Sequence, residues 1–91
     1  MGVFITKVVK KDDRKEDFKA DKIRRGIERA AERVDVDKDR ARKMADRVAR
    51  DVENNFRDRD EIRSRDIRDR VLEALDREER RVADAFRAFR K

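Results

Sequence analysis

Cysteine, histidine, proline, tryptophan, tyrosine and glutamine are absent from this chain, and glycine occurs only at Gly2 and Gly26. Without cysteine there is no disulfide, and without cysteine and histidine there is neither a thiolate or imidazole metal site nor the usual nucleophile–base pair. No Gly-x-x-x-x-Gly-Lys phosphate loop is present, and no serine or carboxylate pair comes with a recognisable base, so no enzyme is expected. The longest apolar run is Val3–Ile5, far short of a signal-peptide core or a membrane span. A soluble, cytoplasmic protein that contacts no membrane is expected.

What the chain does contain is charge. Of its 91 residues 57% are Asp, Glu, Lys or Arg, while 36% are apolar and the only aromatics are five phenylalanines. That composition allows one small domain, residues 1–91, with a modest core. The 29 basic and 23 acidic residues are interleaved rather than blocked, which favours ion-paired helices over disorder. Asp46/Arg50, Glu53/Arg57, Asp66/Arg70 and Glu73/Arg77 have the spacing for pairs within a helix, each worth about 0.2–0.5 kcal/mol. Such charge networks with few thermolabile side chains point to a thermophilic source. The net charge of +6 raises the question of polyanionic partners, nucleic acid among them.

Val3 to Lys10 is β-branched and aromatic and predicts a strand, Asp12-Asp13 a turn, and Arg14 to Phe18 a short returning strand. A helix is expected from Asp21 or Lys22 to about Asp35, with Ile23, Ile27, Ala30, Ala31 and Val34 on one stripe and Gly26 as a point of close packing. A second helix follows from Asp37, its N-cap, to about Phe56, with a polar loop from Asn54 to Glu61. Asp35, Asp37 and Asp39 imitate a calcium loop, but Arg40 stands where the sharp-turn glycine is needed, so they read as acids at a helix start and no metal site is assigned. Ile62 suggests a short strand and Ser64 the cap of a third helix burying Ile67, Val71, Ala74 and Leu75. Asp76 and Glu79 have capping-box spacing, predicting a break before a fourth helix that carries Val82, Ala83, Phe86 and Phe89 as core; one continuous helix from Arg65 to Lys91 is the alternative.

The corner from Val8 to Ile23 gathers Lys10, Lys11, Lys19, Lys22 and Glu16 around a strand–turn–strand–helix path, and a helix N-terminus with unpaired N–H groups adds to its pull on an anion. The same stretch resembles the opening signature of the ATP-cone domain, V-x-K-R-D/N-G-x-x-E-x-F-x-x-x-K-I, at Val8, Lys10, Asp12, Glu16, Phe18, Lys22 and Ile23, with Lys11 in place of Arg. Two later segments fall in register. Ile62-Arg63-Ser64-Arg65-Asp66-Ile67 with Val71 and Leu75 is similar to the family's I-x-[ST]-x-x-I-x-x-x-V-x-x-x-L, and Val82 to Arg90 to its V-A-x-x-Y-x-x-Y-R ending, with Phe for both tyrosines. Asp13 stands where the family has its turn glycine, and Lys19 where some members have Asn.

That resemblance implies an α+β, mostly α fold, a four-helix bundle capped by a small N-terminal hairpin or three-stranded sheet. It implies a regulatory module of the kind found at the N-terminus of ribonucleotide reductases, binding ATP or dATP, with any Mg²⁺ arriving on the nucleotide. The residues matching Lys10, Lys11, Lys22, Ser64, Arg90 and Lys91 meet the phosphates in the family; those matching Val8, Glu16 and Lys19 lie towards base and sugar. With neither a reductase domain nor a cysteine ribbon in the sequence, the expectation is a cone alone, acting on a partner related to ribonucleotide reductase or through self-association into a homo-oligomer. Two alternatives stay open: a degenerate cone that has lost nucleotide and serves as an interaction domain, and a basic protein that binds nucleic acid.

Overall fold

The computed structural model describes residues 7–88, so Val3 to Thr6 of the expected first strand, together with Phe89, Arg90 and Lys91, lie outside the described residues. The order is β1 (Lys7–Val9), β2 (Lys15–Asp17), α1 (Ala20–Arg33), α2 (Lys38–Phe56), β3 (Glu61–Arg63), α3 (Ser64–Glu78) and α4 (Arg80–Ala88). The fold is therefore α+β and mostly α. β1 is central in the sheet, antiparallel to β2 and parallel to β3.

The hairpin turn uses three residues, Lys11 to Asp13. The Asp13 N–H donates to the Lys10 carbonyl at 2.9 Å, Asp13 then takes φ 66°, and the Lys10 N–H reaches the Arg14 carbonyl at 2.8 Å. This is a tight turn closed by one residue in the left-handed region, where glycine carries no steric cost.

α1 opens at Ala20, slightly earlier than the apolar stripe suggests, and ends in a Schellman motif. Val36 N–H donates to the Ala31 carbonyl at 3.0 Å and Asp35 N–H to that of Glu32 at 3.2 Å, with Asp35 at φ 58°. Asp37 caps α2 as expected, accepting from the N–H groups of Asp39 at 3.2 Å and Arg40 at 3.4 Å. α2 takes in Asn54 and Asn55, which were expected in the loop; Asn55 Nδ2 donates to the Asp51 carbonyl at 2.8 Å, one turn back.

Two expected caps do not form. β3 runs straight into α3, so extended Arg63 (φ −80°, ψ 143°) takes the cap position and Ser64 is already helical. Asp76 is still inside α3 and meets Arg87 of α4 at 2.8 Å, so it caps nothing. The break itself is real: Glu79 is extended at φ −155°, ψ 100°, which rules out a continuous helix. Of the expected pairs within helices Glu73–Arg77 forms, at 3.2 Å. Asp46 turns instead to Arg24 on α1 at 3.4 Å, and Arg70 to Asp51 on α2 at 3.1 Å.

The core is shared by all four helices, with Ile27 of α1, Val48 and Val52 of α2, Val71 and Leu75 of α3 and Val82 of α4 fully buried. Burying such side chains contributes about 1.5–3 kcal/mol each. α1 packs on α2 and α4, and α3 on α2 and α4. At Gly26 a Cβ would meet Phe86 Cε2 at 3.1 Å, so the absent side chain lets α4 approach α1, as the isolated glycine suggested. Phe18, Ile67 and Phe86 are partly buried against this core, which carries the packing to the edge of the sheet.

Candidate functional site

Alternation along a strand decides which side chains share a face. Val8 is paired with Glu16 on β2 and with Ile62 on β3, and the burial of Ile62 (3% exposed) marks that face as the inner one. A pocket of about 160 Å³ opens there, lined by Val8, Lys10, Glu16, Asp17, Phe18, Lys19, Lys22, Ile23, Ser64 and Ile67. Of the residues singled out in the sequence, Val8, Lys10, Glu16, Lys19, Lys22 and Ser64 thus come together from β1, β2, α1 and α3. Lys11 does not join them: it is exposed in the hairpin turn. Arg90 and Lys91 lie outside the described residues.

Glu16 organises the charges in this pocket. Lys22 Nζ donates to its Oε1 at 3.0 Å, and Lys10 Nζ lies 3.3 Å from its Oε2. The hydrogen bond from Lys22, followed by that from Lys10, holds the Glu16 carboxyl below its ordinary range. The neighbouring Asp17 pairs with Lys7, which lowers its carboxyl likewise.

The backbone adds to this field. α1 and α3 both begin at the pocket, after Lys19 and Arg63, and neither start receives a side-chain cap, whereas α2 is capped by Asp37. Two helix N-termini with no side-chain cap and with positive dipole ends therefore border the space already edged by Lys10, Lys19 and Lys22. Such a place attracts phosphate. Its volume is below the several hundred Å³ of a pocket that encloses a whole small ligand, so a nucleotide would lie partly across its mouth.

Asp17, Phe18, Ile23 and Ile67 line the pocket without having been singled out as site residues. The usable signals were local, since Asp17 follows Glu16 on β2 and Ile67 lies one turn beyond Ser64. Asp13 belongs elsewhere, to an open groove of about 270 Å³ with Val9, Lys15, Glu61, Ile62 and Arg63. There Lys15 pairs with Glu61 at 2.5 Å, which raises the lysine above its ordinary value. Among the described residues no group of acids is placed to hold a metal ion, and no helix is long and apolar enough to cross a membrane.

Known proteins share this arrangement of sequence. The chain is 34% identical over 87 residues to the transcriptional repressor NrdR of Caldicellulosiruptor saccharolyticus, covering 91% of this chain and 56% of that protein. It is 38% identical over 89 residues to NrdR of Desulforapulum autotrophicum (91% and 52%), and 43% identical over 68 residues to NrdR of Symbiobacterium thermophilum (75% and 44%). The chain thus spans about half the length of the curated relatives it matches. Residues 6–91 match the family described as the ATP cone domain, a span that takes in all three sequence segments that fell in register. The chain belongs to the ATP-cone domain family.

Proposed function

We propose that residues 1–91 form a regulatory rather than a catalytic unit that binds ATP or dATP in the pocket between the sheet and the starts of α1 and α3, with the four helices as a bundle beneath. Lys10, Lys22 and Ser64 meet the phosphates, while Lys11 in the turn and Arg90 and Lys91 at the C-terminus add positive charge. Val8, Glu16 and Lys19 face base and sugar, and Mg²⁺ comes with the nucleotide. The observation that carries this reading is the convergence of three lysines and two uncapped helix starts on one pocket. The output is a change in self-association or in the grip on a partner. Because the relatives are named transcriptional repressors, the partner class favoured is the apparatus of transcriptional control, ahead of a ribonucleotide reductase.

Thermal unfolding with ATP, dATP and GTP tests this. A ligand at 100 times its dissociation constant adds about 2.7 kcal/mol to the native state, which raises the midpoint of a domain of this size by roughly ten degrees. Lys10→Ala combined with Lys22→Ala removes that rise and leaves the unliganded midpoint nearly unchanged, since both are surface pairs to Glu16. No shift at millimolar nucleotide would leave the cone as an interaction domain without ligand. The net charge of +6 favours nucleic acid as a second reading. Oligonucleotide binding at physiological salt, with none for ATP, would establish it in place of the first.

A further inference from the structure

No residue of α2 lines the nucleotide pocket, yet the outer side of this helix is strongly basic. α2 exposes six basic residues against two acids, Asp39 and Glu53, whereas α3 exposes five acids against two bases. Packing creates part of this asymmetry. Asp46 turns to Arg24 of α1 and Asp51 to Arg70 of α3, so two acids of α2 are drawn to its flanks. Positions 43, 47, 50, 54 and 57 fall on one outward stripe, occupied by Lys43, Arg47, Arg50, Asn54 and Arg57, all exposed. Arg57, the C-cap, keeps helical dihedrals (φ −53°, ψ −40°) and so prolongs the stripe. Asp39 lies one turn before it and Glu53 at its side. Arg47 is held by Glu78 of α3, while Lys43, Arg50 and Arg57 make no ion pair among the described residues.

We propose that this stripe is a docking surface for double-stranded DNA, held through its phosphates without sequence preference. The surface gives the nucleic-acid reading above a place in the fold, and rests on that reading rather than on the nucleotide one. At about 1.5 Å per residue the stripe is about 21 Å long. Four cations over that length face a duplex with one negative charge per about 1.7 Å of axis. Asn54 adds a neutral donor for a phosphate oxygen. The stripe carries no aromatic side chain of the kind on which single-stranded bases stack. A convex helical ridge also suits the major groove of B-DNA, about 12 Å wide, better than the deep, narrow one of double-stranded RNA.

Fluorescence anisotropy with a short labelled duplex tests this. The wild type is expected to lose affinity with a slope of about −3 to −4 in log–log salt dependence, roughly a hundredfold between about 50 and 200 mM. Lys43→Gln combined with Arg50→Gln should reduce the slope by about 2 and weaken binding at the lower salt at least about tenfold. Arg25→Gln combined with Arg29→Gln removes the same charge from the exposed side of α1 and should leave the slope unchanged. All four positions are exposed on helices, so both variants should keep the wild-type unfolding midpoint. Equal losses in the two variants would mean that net charge alone attracts DNA, which overturns the stripe and leaves the nucleic-acid reading standing. A single strand of the same sequence bound more tightly than the duplex overturns the stripe as well. A wild type that binds neither at the lower salt overturns both, whatever its thermal shift with ATP.

Discussion

Arg70 of α3 grips Asp51 of α2 with two nitrogens, Nε at 3.1 Å from Oδ2 and Nη2 at 3.3 Å from Oδ1. Asp51 also faces Asn55 Nδ2 at 3.4 Å, and Arg70 Nη1 lies 3.7 Å from Glu73. The guanidinium is 29% exposed and the carboxylate 40%, so solvent screens the pair only in part. Planar two-point geometry is what lysine cannot reproduce. Arg70→Lys is expected to lower stability by about 0.5–1 kcal/mol, a drop of roughly 3–8 °C in the unfolding midpoint, and Asp51→Asn by a similar amount. In a double-mutant cycle the two losses should not add; full additivity would mean that the contact contributes nothing.

Gly26→Ala sets two effects against each other. Alanine in a helix interior gains about 1 kcal/mol over glycine, but its Cβ would sit 3.1 Å from Phe86 Cε2. The Phe86 ring is only half-buried, near the end of α4 and under the Arg68 guanidinium, so its tip can move by a few tenths of an ångström. A net gain of about 0.5 kcal/mol is expected in urea unfolding. Gly26→Val, bulkier and β-branched, should instead lose roughly 1–3 kcal/mol. A loss for alanine as large as that for valine would mean that α1 and α4 are locked at this crossing.

Acid sensitivity follows from the depressed carboxyls. Glu16, Asp17, Asp12 and Asp21 all lie below their ordinary values of 4.5 for Glu and 3.8 for Asp, held by Lys22 and Lys10, by Lys7, by the Arg14 N–H and by Arg24. A folded value below the unfolded one means that the stabilisation is fully present above the unfolded value and is lost as pH falls through the folded one. With no histidine in the chain, the unfolding midpoint should be flat from about pH 7 to 5 and fall below that. Glu16→Gln should make the fall shallower. A decline already between about pH 7 and 6 would require a titrating group that these carboxyls do not supply.

What could be read in advance followed from periodicity. Lys22 was legible beside the hairpin because a helix begins next to it, but the pairing of Val8 with Glu16 was not: a two-residue turn at Asp12-Asp13 would set Val9 opposite Glu16, and the third turn residue, Lys11, shifts the register by one. The stripe Ile23, Ile27, Ala30 and Ala31 gave the core face of α1 directly. Beyond Glu73–Arg77 within α3, the ion pairs between elements were not legible, because spacing within one helix says nothing of the acid on the next. Arg47 on α2 reaches Glu78 on α3 at 2.5 Å, Arg87 on α4 reaches Asp76 on α3, and Arg40 on α2 reaches Glu79 in the break between α3 and α4 at 3.2 Å, each chosen by packing. Ser64 and Asp76 failed as caps for a related reason. Serine next to a helix start is a strong local signal, but where a strand feeds straight into the helix the register belongs to the sheet.

Asp13→Gly separates the hairpin from the pocket. Asp13 sits at φ 66°, a conformation that glycine adopts without the clash a Cβ brings, and the family signature has glycine at this point of the turn. Glycine also gains entropy in the unfolded chain, which offsets part of the benefit. The balance at a left-handed position favours glycine, and a gain of about 0.5–1 kcal/mol is expected, seen as slower amide exchange at Lys10 and Asp13, whose N–H groups close the turn. Because Asp13 lines the outer groove with Lys15 and Glu61 rather than the pocket with Lys10 and Glu16, its removal should change the affinity for tripolyphosphate less than twofold. A larger gain in affinity without any gain in exchange protection would mean that Asp13 acts on the ligand through its charge and not through the turn.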